Sequence, residues 1–351
     1  MKNLKICVYG IAKNESKFVN RFMDCLKEIK DVFILDTGST DNTVELFKAR
    51  GAIVNQKTYE HFTFDVARND ALSFVPEDFD VCISLDIDEC IEPGFVDVIK
   101  EVWQDDTKAM SYFYYTGDSH TNAFFDNKIH LRKDFTWVYP IHEVVRYIGD
   151  GEYKEIKDDR IKVYHNADKS KSRSFYLDLL EERVKNVPND ERNTRLLARE
   201  YLNIGENEKC IEWCNKYYET FGKNTTQIAK VFFYNAYALY NLKDYEAARD
   251  FAAFSNGELG GFRDAYALMC MIDNATCNYK QLIEDGLEGL KYDKVTVVHH
   301  HPIGINGTLE YLVAEGYYRL GDYIKAREYI NKALEIKPNA LKYVVLKEKL
   351  K

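Results

Sequence analysis

The sequence predicts an α/β domain followed by an all-α array of helical hairpins. Three observations carry that expectation. From Leu4 to about Cys90, short apolar runs alternate with amphipathic stretches, the pattern of an open, mainly parallel sheet with crossover helices. From Ala109 to Tyr164 the texture changes to β-rich segments broken by polar turns. Beyond Asp190 nearly every segment has helical periodicity and similar turns recur, which marks a repeat architecture. The expected division is 1–170 for the α/β domain, 171–189 for a connecting helix and 190–351 for the helical array.

Leu4–Tyr9, Val32–Asp36, Ala52–Asn55 and Val81–Leu85 read as strands, with Glu15–Ile29 and Asp41–Arg50 as helices between them. Ligands of such sheets gather at the carboxyl ends of the strands. The loops Gly10–Glu15, Asp36–Asp41 and Asp86–Glu89 are therefore the places to look for chemistry. Met110–Thr116, Lys128–Arg132 and Arg160–Tyr164 are further strands of the same domain, and Ser170–Val187 is a helix that Val187-Pro188-Asn189-Asp190 brings to a stop.

Composition narrows the function. A formal charge of −9 over 351 residues disfavours a surface built to neutralise nucleic-acid phosphates. No apolar stretch approaches the ~20 residues of a membrane span, and the first residues run directly into the apolar segment Ile6–Tyr9 without a signal-peptide pattern. A cytoplasmic protein is expected. The eight cysteines follow no paired C-x-x-C framework, so all are expected to be reduced. Cys210 and Cys214 share a helix face and read as buried thiols rather than metal ligands.

In the second half, Asn203-Ile204-Gly205-Glu206, Asn241-Leu242-Lys243-Asp244 and Arg319-Leu320-Gly321-Asp322 are equivalent turns, with a weaker copy near Asn278-Tyr279. The clearest copy runs from Leu309 to Pro338, with Ala314, Gly316-Tyr317-Tyr318, Gly321-Asp322-Tyr323, Ala326 and Ala333-Leu334. It resembles a tetratricopeptide repeat, whose period is about 34 residues. His299-His300-His301-Pro302 reads as a polar linker between hairpins, because consecutive residues on regular structure point in different directions.

The chemistry concentrates in the first half. Val81–Leu85 is an apolar strand that delivers Asp86, Asp88 and Glu89 at its carboxyl end. Three carboxylates this close repel one another unless a cation sits among them, and Mg²⁺ or Mn²⁺ prefers carboxylate and phosphate oxygens. A cation bridging these carboxylates and a diphosphate follows. In Phe33–Thr43 a strand ends in a turn that Gly38 permits, Thr40 or Asp41 caps the next helix, and Asp36 faces the binding edge.

Ala12-Lys13-Asn14-Glu15, Leu35–Asp41, Ala67-Arg68-Asn69-Asp70-Ala71-Leu72, Leu85–Glu89 and Pro140-Ile141-His142-Glu143 together resemble the inverting glycosyltransferases of family two, which have the GT-A fold. The resemblance covers roughly residues 4–170. The Pro140–Glu143 pattern is similar to one branch of that family, which includes bacterial core-oligosaccharide glucosyltransferases and peptide or protein glycosyltransferases with appended helical repeats. The resemblance implies a nucleotide-diphosphate sugar, of the UDP-sugar type, lying across the first, second and fourth strands. It assigns Asn14, Glu15, Asp36, Arg68 and Asp86 to the donor, with Asp36 on the base and Asp86 on ribose or metal. Asp88 becomes the principal ligand for Mn²⁺ or Mg²⁺. Glu143 becomes the base that activates the acceptor, His142 either binds the metal or orients Glu143, and His165 is a further metal or diphosphate contact.

The repeats favour a peptide or protein acceptor, since stacked hairpins offer concave grooves for extended chains. A cell-envelope or lipid-linked saccharide is the alternative acceptor, and a non-catalytic helical-repeat adaptor is the alternative of another class. A nucleotidyltransferase or a dinucleotide oxidoreductase would need a glycine-rich loop after the first strand, where Gly10 stands alone. A homo-oligomer is compatible with the sequence.

Overall fold

The computed structural model describes residues 4–116, 122–166, 174–222, 227–292, 303–304 and 306–351. The chain forms two compact units, Met1–Ser172 and Arg173–Lys351. The first begins as β1 (Ile6–Ala12), α1 (Ser16–Cys25), β2 (Val32–Asp36), α2 (Thr43–Ala49), β3 (Ile53–Gln56), α3 (Phe64–Phe74) and β4 (Val81–Ser84). It continues through β5 (Glu89–Ile91), α4 (Phe95–Val102), β6 (Ala109–Thr116), β7 (Asn122–Leu131), β8 (Phe135–Val138), β9 (Val144–Tyr147) and β10 (Glu155–His165).

Eight strands form one sheet in the order β3-β2-β1-β4-β7-β6-β10-β5, and β8 pairs with β9 apart from it. The first four are mutually parallel, as the alternation of strands and helices requires. The second half, for which the sequence sets no strand direction, is mixed: β7 is antiparallel to both β4 and β6, β5 is antiparallel to β10, and β10 is parallel to β6. Only residues 117–121 connect β6 to β7, and a parallel crossover needs about a dozen.

Both faces of the parallel half are covered, which explains its continuous apolar strands. Val8 joins Val19, Phe22 and Phe47 in one core layer, while Tyr9 joins Ala71, Leu72 and Trp137 in the other. At the end of β1 the backbone comes so near the next strand that a Cβ on Gly10 would lie 2.6 Å from the Leu85 carbonyl oxygen. Only glycine fits there without moving backbone.

The expectation of eight reduced cysteines is corrected at one pair. Cys25 closes α1, Cys90 lies in β5, and a disulfide joins them across a Cα–Cα distance of 5.7 Å. The two are 65 residues apart in sequence, so only the packing of α1 beside β5 makes them neighbours. Cys210 and Cys214 are buried thiols facing main-chain carbonyls.

The second unit contains α5 (Ser174–Asn186), α6 (Glu191–Asn203), α7 (Asn207–Phe221), α8 (Ile228–Asn241) and α9 (Tyr245–Glu258). After these come α10 (Arg263–Ala275), α11 (Tyr279–Gly289), α12 (Thr308–Arg319), α13 (Tyr323–Ile336) and α14 (Leu341–Lys349). The repeated turns join α6 to α7, α8 to α9, α10 to α11 and α12 to α13, and each contains one left-handed residue: Gly205, Lys243, Cys277 and Gly321. Asp244 and Asp322 cap the helices that follow, their carboxylates accepting from the amides of Ala247 and Lys325, contacts worth about 1 kcal/mol each. Small residues allow the close helix approach read from the sequence. A Cβ on Gly316 would lie 2.9 Å from Ile283 and Leu282 side chains, and Ala314, Ala326 and Ala333 are fully buried. His299–Pro302 lies outside the described residues. Among those residues no helix is long and apolar enough to cross a membrane.

A buried polar chain locks β8 to the main sheet. Trp137 Nε1–H donates to Tyr9 Oη at 2.8 Å, and Tyr9 O–H donates to His130 Nε2 at 2.8 Å. His130 Nδ1–H donates to the Leu131 carbonyl at 2.7 Å. A carbonyl can only accept, so the neutral Nδ1–H tautomer fits this chain. Burial, with Arg132 nearby, lowers the His130 pKa from 6.5 to about 4. The unfolded chain therefore binds the extra proton first as pH falls. This contribution is fully present above pH 6.5 and is lost between there and about 4, amounting to about 3 kcal/mol. Denaturant unfolding at pH 7 and 4.5 should show a smaller acid loss for His130→Gln, which can keep both hydrogen bonds, than for the parent.

Candidate active site

The loops after β1 and β2 are laced together. Asn14 adopts a left-handed backbone with φ 56°. Its N–H donates to Ser39 Oγ at 2.8 Å, and its Oδ1 accepts from the Thr40 amide at 2.8 Å. The Glu15 amide donates to Thr43 Oγ1 at 2.8 Å. Asp36 is fully buried at the end of β2, where its carboxylate accepts from the Gly38 and Ser39 amides and from the Ser39 hydroxyl. Asp41 bonds the Thr43 amide and hydroxyl and the Ser16 amide. Burial works to raise its pKa, but these donors bring it down to about 2. Asn14, Glu15 and Asp36 thus share one rigid corner of the sheet edge.

The centre of the edge is Arg68, buried on α3 and 4% exposed. Its Nη2 donates to Asp86 Oδ1 at 2.5 Å, its Nε to Glu143 Oε1 at 2.5 Å and its Nη1 to Ser84 Oγ at 3.3 Å. The guanidinium also lies 4.8 Å from the Trp137 ring centroid, a cation–π contact. Two features of α3 carry Glu143 to this point. The Phe64 amide donates to the Pro140 carbonyl at 3.0 Å. Asn69 spans the β8 backbone, with Nδ2 donating to the Trp137 carbonyl and Oδ1 accepting from the Trp137 amide, both at 2.8 Å. Within the β8–β9 loop His142 takes a left-handed backbone, φ 49°, next to Glu143.

The acidic turn after β4 separates into two parts. Asp86 and Glu89 face cations: Lys128 Nζ lies 3.4 Å from Asp86 Oδ2 and 3.1 Å from Glu89 Oε1. Burial tends to raise the Asp86 pKa, and the charges of Arg68 and Lys128 outweigh it and hold the carboxyl well below the usual range. Asp88 instead meets His165, with Nε2 3.3 Å from Oδ2. The antiparallel register of β10 on β5, which sets His165 opposite Glu89, brings this pair together. Arg21 Nη2 and the Asn166 amide donate to the Asp88 main-chain oxygen at 3.1 and 3.0 Å. Burial opposes protonation of His165, but Asp88 raises its pKa.

One carboxylate and one imidazole at this separation fit a Mn²⁺-type cation that takes its remaining ligands from phosphate and water. Among the described residues no group of three or more His, Cys, Asp or Glu side chains is assembled for a metal, so bound diphosphate oxygens would have to complete the shell.

Sequence reasoning selected Arg68, Asp86 and Glu143 separately, and the fold joins them. It missed Lys128 and Ser84. The sequence signal for Lys128 is a charged residue within a strand otherwise rich in Phe, Ile and Leu. Simple alternation of faces does not place it, because β7 shifts register against β6 between Asp126 and Ile129.

Residues 7–148 match the family model "Glycosyl transferase family 2", and residues 309–351 match "Fis1 C-terminal tetratricopeptide repeat". The chain carries a family-two glycosyltransferase domain followed by tetratricopeptide repeats. No curated protein matches it. Among solved structures, MamA from Desulfovibrio magneticus RS-1 is 17% identical, with 46% of this chain and 82% of that chain covered and a TM-score of 0.38. A thermophilic TPR protein from Thermus thermophilus is 16% identical, with 50% and 88% covered and a TM-score of 0.39.

Arg68→Met should leave Asp86 and Glu143 without their shared cation. Breaking a buried pair from one side costs about 3 kcal/mol or more, and the partial exposure of Asp86 puts the expected loss at the lower end. Chemical denaturation followed by Trp fluorescence should register that loss, and Arg68→Met with Glu143→Gln should recover part of it.

Proposed function

We propose that this protein is a metal-dependent inverting glycosyltransferase, of the hexosyltransferase class, that moves a sugar from a UDP-sugar to a peptide or protein acceptor. The observation that carries the reading is the pairing of Asp88 with His165 at the carboxyl edge of the sheet, in the same acidic turn as Asp86, which Arg68 links to Glu143. Asp88 and His165 would hold Mn²⁺ or Mg²⁺. The cation, when bound, offsets the charge that develops on the departing diphosphate.

The protein's own groups supply the rest. The corner of Asn14, Glu15 and Asp36 receives the nucleoside, with Asp36 as acceptor for the base. Arg68 orients Glu143 through Oε1, and a carboxylate retains further lone pairs for an acceptor proton. Glu143, held by Arg68, is the general base, and His142 beside it is a positioning residue or an added metal ligand. The helical repeats support a peptide acceptor because hairpin arrays present extended grooves.

Two outcomes test this. With a panel of UDP-sugars and Mn²⁺, the parent should release UDP, and Asp88→Ala or excess chelator should abolish release and transfer. Full activity in chelator removes the metal from the reading. Glu143→Gln should leave donor affinity by calorimetry nearly unchanged and reduce single-turnover transfer to a hydroxyl acceptor by about 10²–10⁴-fold. Parental transfer by that variant removes Glu143 as the base.

A further inference from the structure

Lys128 has no part in the mechanism above, yet it is the most heavily engaged cation of the acidic turn. Its ammonium lies 3.1 Å from Glu89 Oε1, 3.4 Å from Asp86 Oδ2 and 3.8 Å from Asp126 Oδ2, and its side chain is only 16% exposed. Glu89 is fully buried. Its other donors are the Tyr114 hydroxyl at 2.7 Å and the Asp86 amide at 2.8 Å. Glu89 therefore ties the acidic turn to β6 and β7 and faces no open space in which to hold a ligand.

This arrangement poses an electrostatic problem. A diphosphate donor is anionic, and Asp86, Asp88, Glu89 and Asp126 are four carboxylates on or beside the turn that would receive it. A cation is attracted by each of them, and a diphosphate is repelled by each of them. With Lys128 in place, Asp86 and Glu89 already face a counter-charge, and Asp88 is the carboxylate left paired with an imidazole. The ammonium has three donors; Glu89 and Asp86 accept two of them, and Asp126 at 3.8 Å is too far for a hydrogen bond, so direct contact with phosphate is the alternative that the test separates.

We propose that Lys128 is a positioning residue that offsets part of the charge of Glu89 and Asp86, so that Asp88 and His165 take the cation and the diphosphate meets less repulsion. This rests on the nucleotide-sugar reading of the site. A role through electrostatics has a signature that simple loosening of the turn lacks. Loss of Lys128 should weaken UDP binding while leaving binding of Mn²⁺ alone unchanged or stronger, and neutralising Glu89 should reverse the loss.

The test is calorimetric titration of the full chain with Mn²⁺ alone and with UDP at saturating Mn²⁺, using the parent, Lys128→Met, Lys128→Arg and Lys128→Met with Glu89→Gln, each with a melting curve. Lys128→Met should lower UDP affinity by about tenfold, the scale of one charge at the rim of a partly buried site. Lys128→Arg should stay near the parent, and the double variant should return to within about threefold of it. An unchanged Lys128→Met overturns the proposal. So does equal weakening of Mn²⁺ and UDP, or a double variant that shows no recovery, as direct contact with phosphate would produce. If Lys128→Met fails to fold, a folded double variant with parental UDP affinity supports compensation, and an unfolded one overturns it. A parent that binds no UDP defeats the donor reading instead. The melting curves then still decide compensation: the double variant melts above Lys128→Met if it holds, and no higher if it does not.

Discussion

The Arg68 guanidinium joins parts of the transferase domain that are remote in sequence: α3, which carries it, the end of β4 at Ser84 and Asp86, and the β8–β9 loop at Glu143. A buried charge costs several kcal/mol unless it is paired and hydrogen-bonded. Arg68 can therefore be buried only when all three parts are in position. Its face rests on Trp137, so the same residue that closes the Tyr9–His130 chain also supports the cation. The β8–β9 hairpin, which is outside the main sheet, is held in place by the burial of Phe135, Trp137 and Val145 and by these polar contacts rather than by strand pairing with the sheet. Asn69 serves that end by satisfying the Trp137 backbone from both sides.

Around this centre the edge is divided by charge. Asp86 is shared by Arg68 and Lys128, Glu89 is buried beneath Lys128, and Asp88 turns toward His165. A single short run of carboxylates thus serves opposite ends, some as anchors of the turn and one as a candidate ligand. The Cys25–Cys90 disulfide and the Arg21 bond to Asp88 both attach α1 to the far side of this turn. The acidic turn is consequently restrained on the α1 side and the β7 side at once.

The helical array solves one turn problem four times with different residues. Gly205 and Gly321 adopt the left-handed conformation without strain, whereas Lys243 and Cys277 do so at a cost of about 1 kcal/mol each. The central copies also bury charge. Arg249 bridges Asp273 and Asp285 at 2.8 and 2.6 Å, and Arg263 pairs with Glu310 at 2.5 Å. These pairs draw their partners from neighbouring helices of the array.

The residues by themselves determined whatever depends on near neighbours. Apolar runs over Ile6–Tyr9, Val32–Asp36 and Val81–Leu85 make buried strands, Gly38 makes its turn, Asp244 and Asp322 cap their helices, and the acidic tip of β4 announces a site. Only the tertiary structure decided who pairs with whom. That Cys25 meets Cys90, that Glu143 reaches Arg68 and that Lys128 lies between Asp86 and Glu89 all depend on groups 39–75 residues apart. Local propensity acts over a few residues, whereas a buried charge or thiol takes whichever partner the packed chain brings within a few ångströms, so these pairings follow from the folded arrangement alone.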